Sequence, residues 1–201
     1  IQRAAQSGWS PVLFRVMEAI TAYLLPGGLI LLFILLLSTF HLNHLFIWMD
    51  PEVVEYDKII KAKSGYLEPY FFLVRGVIYL SGWCLYRYFS RKFSHLQDHS
   101  NDNKYHIKNF KLSAAFLVFF LVTESMMSWD WIMSIDPHWF STLFGWYVFA
   151  SMAVSGITTI ALISIYLKSK GYLPNVNDNH FHDLGKFMFG FSVFWTYLWF
   201  S

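Results

Sequence analysis

Cysteine occurs once in 201 residues, at Cys84 inside an apolar stretch. A single thiol excludes an internal disulfide, and any iron–sulfur cluster or zinc site ligated by cysteines of this chain alone. Charge is scarce too: 14% of residues are charged, against 56% hydrophobic and 21% aromatic, and the mean hydropathy is +0.40. A water-soluble domain has no interior large enough to hide that much apolar surface. A net charge of +2 is too small to argue for nucleic acid as a partner. Phosphate-binding loops, dinucleotide fingerprints and nucleophile elbows are missing as well. What the chain does have is long apolar runs, and these predict an all-α, polytopic transmembrane bundle whose solvent is the lipid bilayer.

Five runs approach the ~20 residues that carry a helix across ~30 Å of hydrocarbon. They cover about 26–48, 69–88, 112–135, 139–167 and 185–201. Ahead of the first, Ser10 suits an N-cap, Pro11 suits the first helical position, and Arg15 and Glu18 pair at i, i+3. An interfacial helix over about 11–23 is the expectation. The alternative is one helix over 12–48 broken at Pro26-Gly27-Gly28, as cavity-lining helices in membranes are. The fourth run carries Gly145, Ala150, Ser151, Ala153, Ser155 and Gly156, small residues that let helices approach, and reads as a packing helix. Trp48, Trp129, Trp131, Trp139, Trp146 and Tyr88 sit at or near span ends, where aromatics anchor in the headgroup layer. Ile1 is not a start residue, and the chain closes at Ser201 inside FMFGFSVFWTYLWFS without a polar stop. Both are expected of a piece of a longer polypeptide.

Orientation follows from lysine and arginine. If 89–111 is cytoplasmic, that side also receives 168–184 and collects eleven cations: Arg3, Arg15, Arg87, Arg91, Lys92, Lys104, Lys108, Lys111, Lys168, Lys170 and Lys186. Only Lys58, Lys61 and Lys63 fall on the other side, among Asp50, Glu52, Glu55, Asp57 and Glu68. Loops 49–68 and 136–138 are therefore expected to be periplasmic, in a bacterial cytoplasmic membrane.

Chemistry inside a bilayer belongs to buried ionisable groups, because each costs several kcal/mol unless it is paired, neutralised or facing water. Glu124 and Asp130 lie in the third span and Arg75 in the second. At 1.5 Å per helical residue, Arg75 and Asp130 reach about the same depth, so an ion pair is predicted, as a structural clamp or as a working site. Glu124 lies about 9 Å deeper, with no basic residue at its level. It is protonated, bonded to a nearby hydroxyl such as Ser128, or paired with a helix outside this chain. A carboxyl that changes charge at that depth is what a proton relay or a quinone site needs.

Spans two to five contain no histidine, so they cannot supply the facing pair that holds a membrane haem. His41 and His44 share a face in the outer third of the first span, where they meet solvent or headgroups or form an outward proton exit. HFHD at 180–183 reads as a solvated polar loop, and no metal site is expected.

DPEVVEYDKIIKAKSGYLEPYFFLVR (50–75) and DWIMSIDPHWFSTLFGWYVF (130–149) resemble the second large membrane subunit of alternative complex III, the bacterial quinol:cytochrome c oxidoreductase. That subunit is similar to polysulfide-reductase-type membrane subunits. The resemblance implies about ten spans in two bundles, roughly half of them supplied here. It implies further membrane subunits as partners, with haem-bearing and iron–sulfur subunits on the outer side carrying the redox centres. This chain would bind no cofactor of its own, quinone or quinol excepted. Carried onto this chain, Arg75, Glu124, Asp130 and Asp136 are the polar positions that matter. The competing readings are a scaffold subunit of the same complex and a proton-coupled secondary transporter.

Overall fold

The computed structural model describes residues 1–200, and among them the regular structure is entirely helical. Eight α-helices follow in order: α1 Phe14–Ile20, α2 Leu24–Thr39, α3 Pro51–Tyr56, α4 Lys58–Lys63, α5 Pro69–Asp98, α6 Lys104–Trp131, α7 Phe144–Ser169 and α8 Asp178–Trp199. Among the described residues, three stretches are long and apolar enough to cross a membrane by length and composition: Pro11–Thr39, Lys104–Ile135 and Phe144–Ser169. The chain itself buries only 6% of the apolar window of the first and 22% of each of the others. Leu29, Ile30 and Phe33 of α2, each about 60% exposed, would be costly in water and are at home against lipid. α5, with Arg75, Arg87, Arg91 and Lys92, and α8, opening with DNHFHDLGK, are helical but do not meet the same standard.

The first span differs from its expected form. Pro11–Thr39 is a nearly unbroken helical run whose irregularity is a 3-10 turn at Thr21–Tyr23 and not Pro26-Gly27-Gly28. Pro26 is accommodated because it is the third residue of α2, where a backbone N–H has no intrahelical acceptor anyway. The run also stops at Thr39, well short of Trp48. His41 takes a left-handed conformation (φ 56°), its N–H bonds to the Ser38 carbonyl, and the Leu42 N–H bonds to the Leu37 carbonyl. This double closure satisfies the last carbonyls and turns the chain away. Asn43 completes it, its Oδ1 accepting from the Ser38 hydroxyl at 2.7 Å and from the Leu45 N–H. α7 likewise starts at Phe144, after the Asp136–Pro137 turn, and not at Trp139.

The chain divides into two compact units. One comprises Tyr23–Leu85 and Leu121–Gly145. Its core joins Leu35, Phe46, Trp48, Met49, Ile60 and Phe72, with Trp131 packed against them. Phe46, Trp48 and Phe72 meet at ring-centroid distances of 5.1 to 5.9 Å. Trp48, expected as an interfacial anchor, is 1% exposed and belongs to this core, because the chain folds back after Thr39. Asp50 and Asp57 cap α3 and α4 through their carboxylates, so the loop between the first two expected spans is itself helical. Gly145 lets α7 begin against α6: a Cβ there would lie 3.1 Å from Ser125 Oγ and 3.2 Å from Ser125 Cα.

The other unit comprises Ile1–Ala22, Tyr86–Phe120 and Trp146–Ser201. Leu13, Ala161, Val176 and Leu184 form its core, and Trp9 stacks on Phe187 at 5.4 Å. Arg3 and Arg15 both pair with Glu18, and Arg15 also with Asp98, which fastens the N-terminal segment to the end of α5. Asn177 caps α8, and its own N–H donates to His180 Nδ1 at 3.1 Å, which gives His180 a capping role.

Candidate functional site

The site lies in the unit built from Tyr23–Leu85 and Leu121–Gly145. Arg75 projects from the second turn of α5 and Asp130 from the last turn of α6. The two side chains form the ion pair expected from their depths. It is bidentate: Nε donates to Oδ2 at 2.8 Å and Nη2 to Oδ1 at 2.9 Å. Planar guanidinium and planar carboxylate match in this arrangement, and two parallel bonds fix orientation as well as distance. Asp130 is 0% exposed and Arg75 3%.

Two tyrosines complete the cluster. Tyr79, one turn after Arg75, donates its hydroxyl to Asp130 Oδ2 at 2.9 Å. Tyr66 lies just ahead of α5; its backbone carbonyl accepts from Arg75 Nη1 at 3.1 Å and its ring lies 4.1 Å from the guanidinium. Phe71 covers the guanidinium at 4.4 Å. Burial and the neighbouring Asp130 carboxylate push the Tyr66 phenol well above its ordinary range, so the group facing Asp130 stays a neutral phenol. The Asp130 carbonyl also accepts from Ser134 Oγ. Every strong valence of Asp130 is thus satisfied, and a carboxylate held by a guanidinium fork and a phenol is a fixed charge.

Glu124 differs. It lies six residues earlier on α6, about 9 Å along the axis, and is 2% exposed. Its Oε1 is enclosed and has no hydrogen-bond partner among the described residues. The Ser128 hydroxyl, expected as a candidate partner, donates instead to the Ser125 carbonyl at 2.7 Å, as a serine in a helix bonds back to the preceding turn. An enclosed carboxyl with a free oxygen can gain or lose a proton without dismantling an ion pair, which Asp130 cannot do.

The remaining expected residues stand apart from this cluster. Asp136 is exposed in the turn after α6, where Oδ1 accepts from the His138 N–H at 3.1 Å. His41 and His44 do not lie on a face of the first span. Because the helix ends at Thr39, they sit in the turn beyond it, both exposed. There they line a cavity of about 180 Å³ together with Phe46, Met49 and Asp50. His138 meets Asp57 at 2.5 Å, and Lys63 donates to the Pro137 carbonyl at 2.6 Å, so the turn at 136–138 is tied down onto α4. Asp57 is held below the usual carboxylate value, first by the Ile60 N–H, then by His138 and the Ile59 N–H.

Tyr79 and Tyr66 are the functional neighbours that sequence reasoning missed. Tyr79 had a signal, since its i+4 spacing from Arg75 puts both on one helical face. Tyr66 had none, because Pro69 separates it from the helix. No group of three or more His, Cys, Asp or Glu side chains able to hold a metal ion occurs among the described residues. No protein-family model and no curated protein matches the chain.

Proposed function

We propose that this chain is a cofactor-free integral membrane subunit of a bacterial respiratory quinol:acceptor oxidoreductase of the alternative complex III type. In this reading it contributes about half of a ten-span protein and works beside haem-bearing and iron–sulfur subunits. Its inward loops are 89–111 and 168–184. Its part is proton handling coupled to quinol oxidation: Glu124 takes up or passes a proton, while Arg75–Asp130 provides a fixed dipole about 9 Å away.

The observation that carries the reading is the enclosed, unpartnered Glu124 Oε1 within a helix long and apolar enough to span a bilayer. A buried carboxyl kept without a counter-ion costs stability, and such a cost is commonest where the group titrates in the course of its work. The motifs at 50–75 and 130–149 supply the link to the quinol-oxidising complex.

The test is Glu124→Gln in the assembled, purified complex reconstituted into vesicles. Assembly and haem content are expected to stay at the parental level while protons moved per electron fall. Undiminished proton movement would remove Glu124 from the mechanism. A scaffold role is the second reading, favoured by the fully partnered Asp130, and it predicts that same undiminished result.

A further inference from the structure

In the unit containing Tyr86–Phe120, α5 and α6 run antiparallel in a register set by two bridges. Tyr86 Oη meets Ser113 Oγ at 3.0 Å, and Ser90 Oγ donates to Asn109 Oδ1 at 2.9 Å. Four residues forward on one helix match four backward on the other. The same register puts Arg91 level with Lys108, and Lys111 opposite residue 88, within about 1.5 Å of rise from Arg87. Two successive layers therefore carry cations on both helices. Neither YRYFSRKF (86–93) nor HIKNFKLS (106–113) contains an acid that could neutralise them.

Arg87 makes this more than a solvated basic face. Arg3 and Arg15 pair with Glu18, Arg75 with Asp130, and Arg91 donates to His95 at 3.4 Å. Arg87 has no hydrogen bond or ion pair among the described residues, and its Nε is enclosed. A half-buried guanidinium with no acceptor leaves a charge uncompensated, which is costly unless an anion completes it. By the same register Arg87 lies level with Lys111 in the first turns of α6, so the cluster falls near the end of a helix long and apolar enough to cross a membrane. Next to it in sequence, Tyr88 is 59% exposed and presents apolar surface.

We propose that this cluster is a binding site for the phosphate of an anionic phospholipid, with Arg87 as the central ligand, Lys111 and Arg91 as flanking cations, and the exposed Tyr88 ring as its apolar border. Cations at the hydrocarbon boundary recognise a phosphate, and the apolar border selects one attached to a lipid over a free anion. The proposal rests on membrane placement alone and is independent of the respiratory role of Glu124.

The experiment uses the full-length protein, delipidated in neutral detergent, with the thermal unfolding midpoint followed as phosphatidylglycerol, phosphatidylcholine or inorganic phosphate is added. Phosphatidylglycerol is expected to raise the midpoint and the other two to leave it in place. Replacing Arg87 and Lys111 by Gln should weaken the phosphatidylglycerol response roughly fivefold per cation removed. Lys58→Gln with Lys61→Gln should leave it unchanged. Lys111 is exposed, so Lys111→Gln alone keeps the test open should the Arg87 variant fail to fold. An undiminished response in Lys111→Gln and in the double variant would overturn the site. An equal response to inorganic phosphate would overturn its assignment to a lipid.

Discussion

Asp130→Ala removes the carboxylate but leaves the Arg75 guanidinium, 3% exposed, without its counter-ion. Breaking one side of such an enclosed pair costs roughly 3–5 kcal/mol, most of it the penalty of the stranded charge. Two features moderate the loss. Arg75 keeps the Tyr66 carbonyl at 3.1 Å, and it keeps two ring faces at 4.1 and 4.4 Å, contacts worth about 0.5–2 kcal/mol each. The expected cost therefore lies near the low end, about 3 kcal/mol. Tyr79→Phe takes away one of the donors to Asp130 and should cost only about 1 kcal/mol. The double variant Arg75→Met/Asp130→Leu fills the same space with apolar atoms, strands nothing, and should fall within about 1–2 kcal/mol of the parent. The assay is reversible unfolding of the full chain in mixed micelles, with Arg75→Met and Asp130→Leu alone as the single corners of a double-mutant cycle. Costs below about 1 kcal/mol for the single charge-removing variants, or additive losses in the double variant, would refute the claim that these two charges hold each other in an enclosed site.

Two further outcomes follow from local geometry. Gly145→Ala would push a Cβ to 3.2 Å from the Ser125 backbone and should cost about 1–3 kcal/mol. Gly156→Ala on the same helix meets nothing within 4 Å and should gain up to about 1 kcal/mol; unfolding midpoints in which Gly145→Ala is as neutral as Gly156→Ala would contradict the close approach. Asp57 titrates below its usual 3.8, so the stability it adds is present above that pH and is lost as pH falls through its lower folded value. The protection of the Ile59 and Ile60 amides against hydrogen exchange, relative to the intrinsic rate at each pH, should fall on acidification below about pH 4. In Asp57→Ala that protection should already be low at neutral pH, and matching pH profiles would count against the cap.

The polar cluster was partly legible before any coordinates. Arg75 and Asp130 could be matched because helix rise converts residue number into depth, and two opposite charges at one depth in hydrocarbon have few alternatives. Tyr79 follows from the same periodicity once Arg75 is placed on a helix. Tyr66 does not, since it reaches the guanidinium only because the chain folds back over the start of α5. The free state of Glu124 Oε1 was equally out of reach: Ser128 stands at the right spacing to be its partner, and only the structure has that hydroxyl bonding to the Ser125 carbonyl.

Composition and periodicity determined that this chain is helical, that its long apolar runs suit a bilayer, and that its acids are few and therefore conspicuous. These properties depend on local hydrogen bonding and on the length of uninterrupted apolar sequence, both of which are written residue by residue. Tertiary structure decided where the first run ends, what Trp48 buries itself against, and which oxygens of Asp130 and Glu124 are satisfied. An αL turn at His41 and a hydroxyl's choice between two acceptors depend on the surrounding packing by amounts comparable to a single hydrogen bond, and spacing along a chain does not resolve differences of that size.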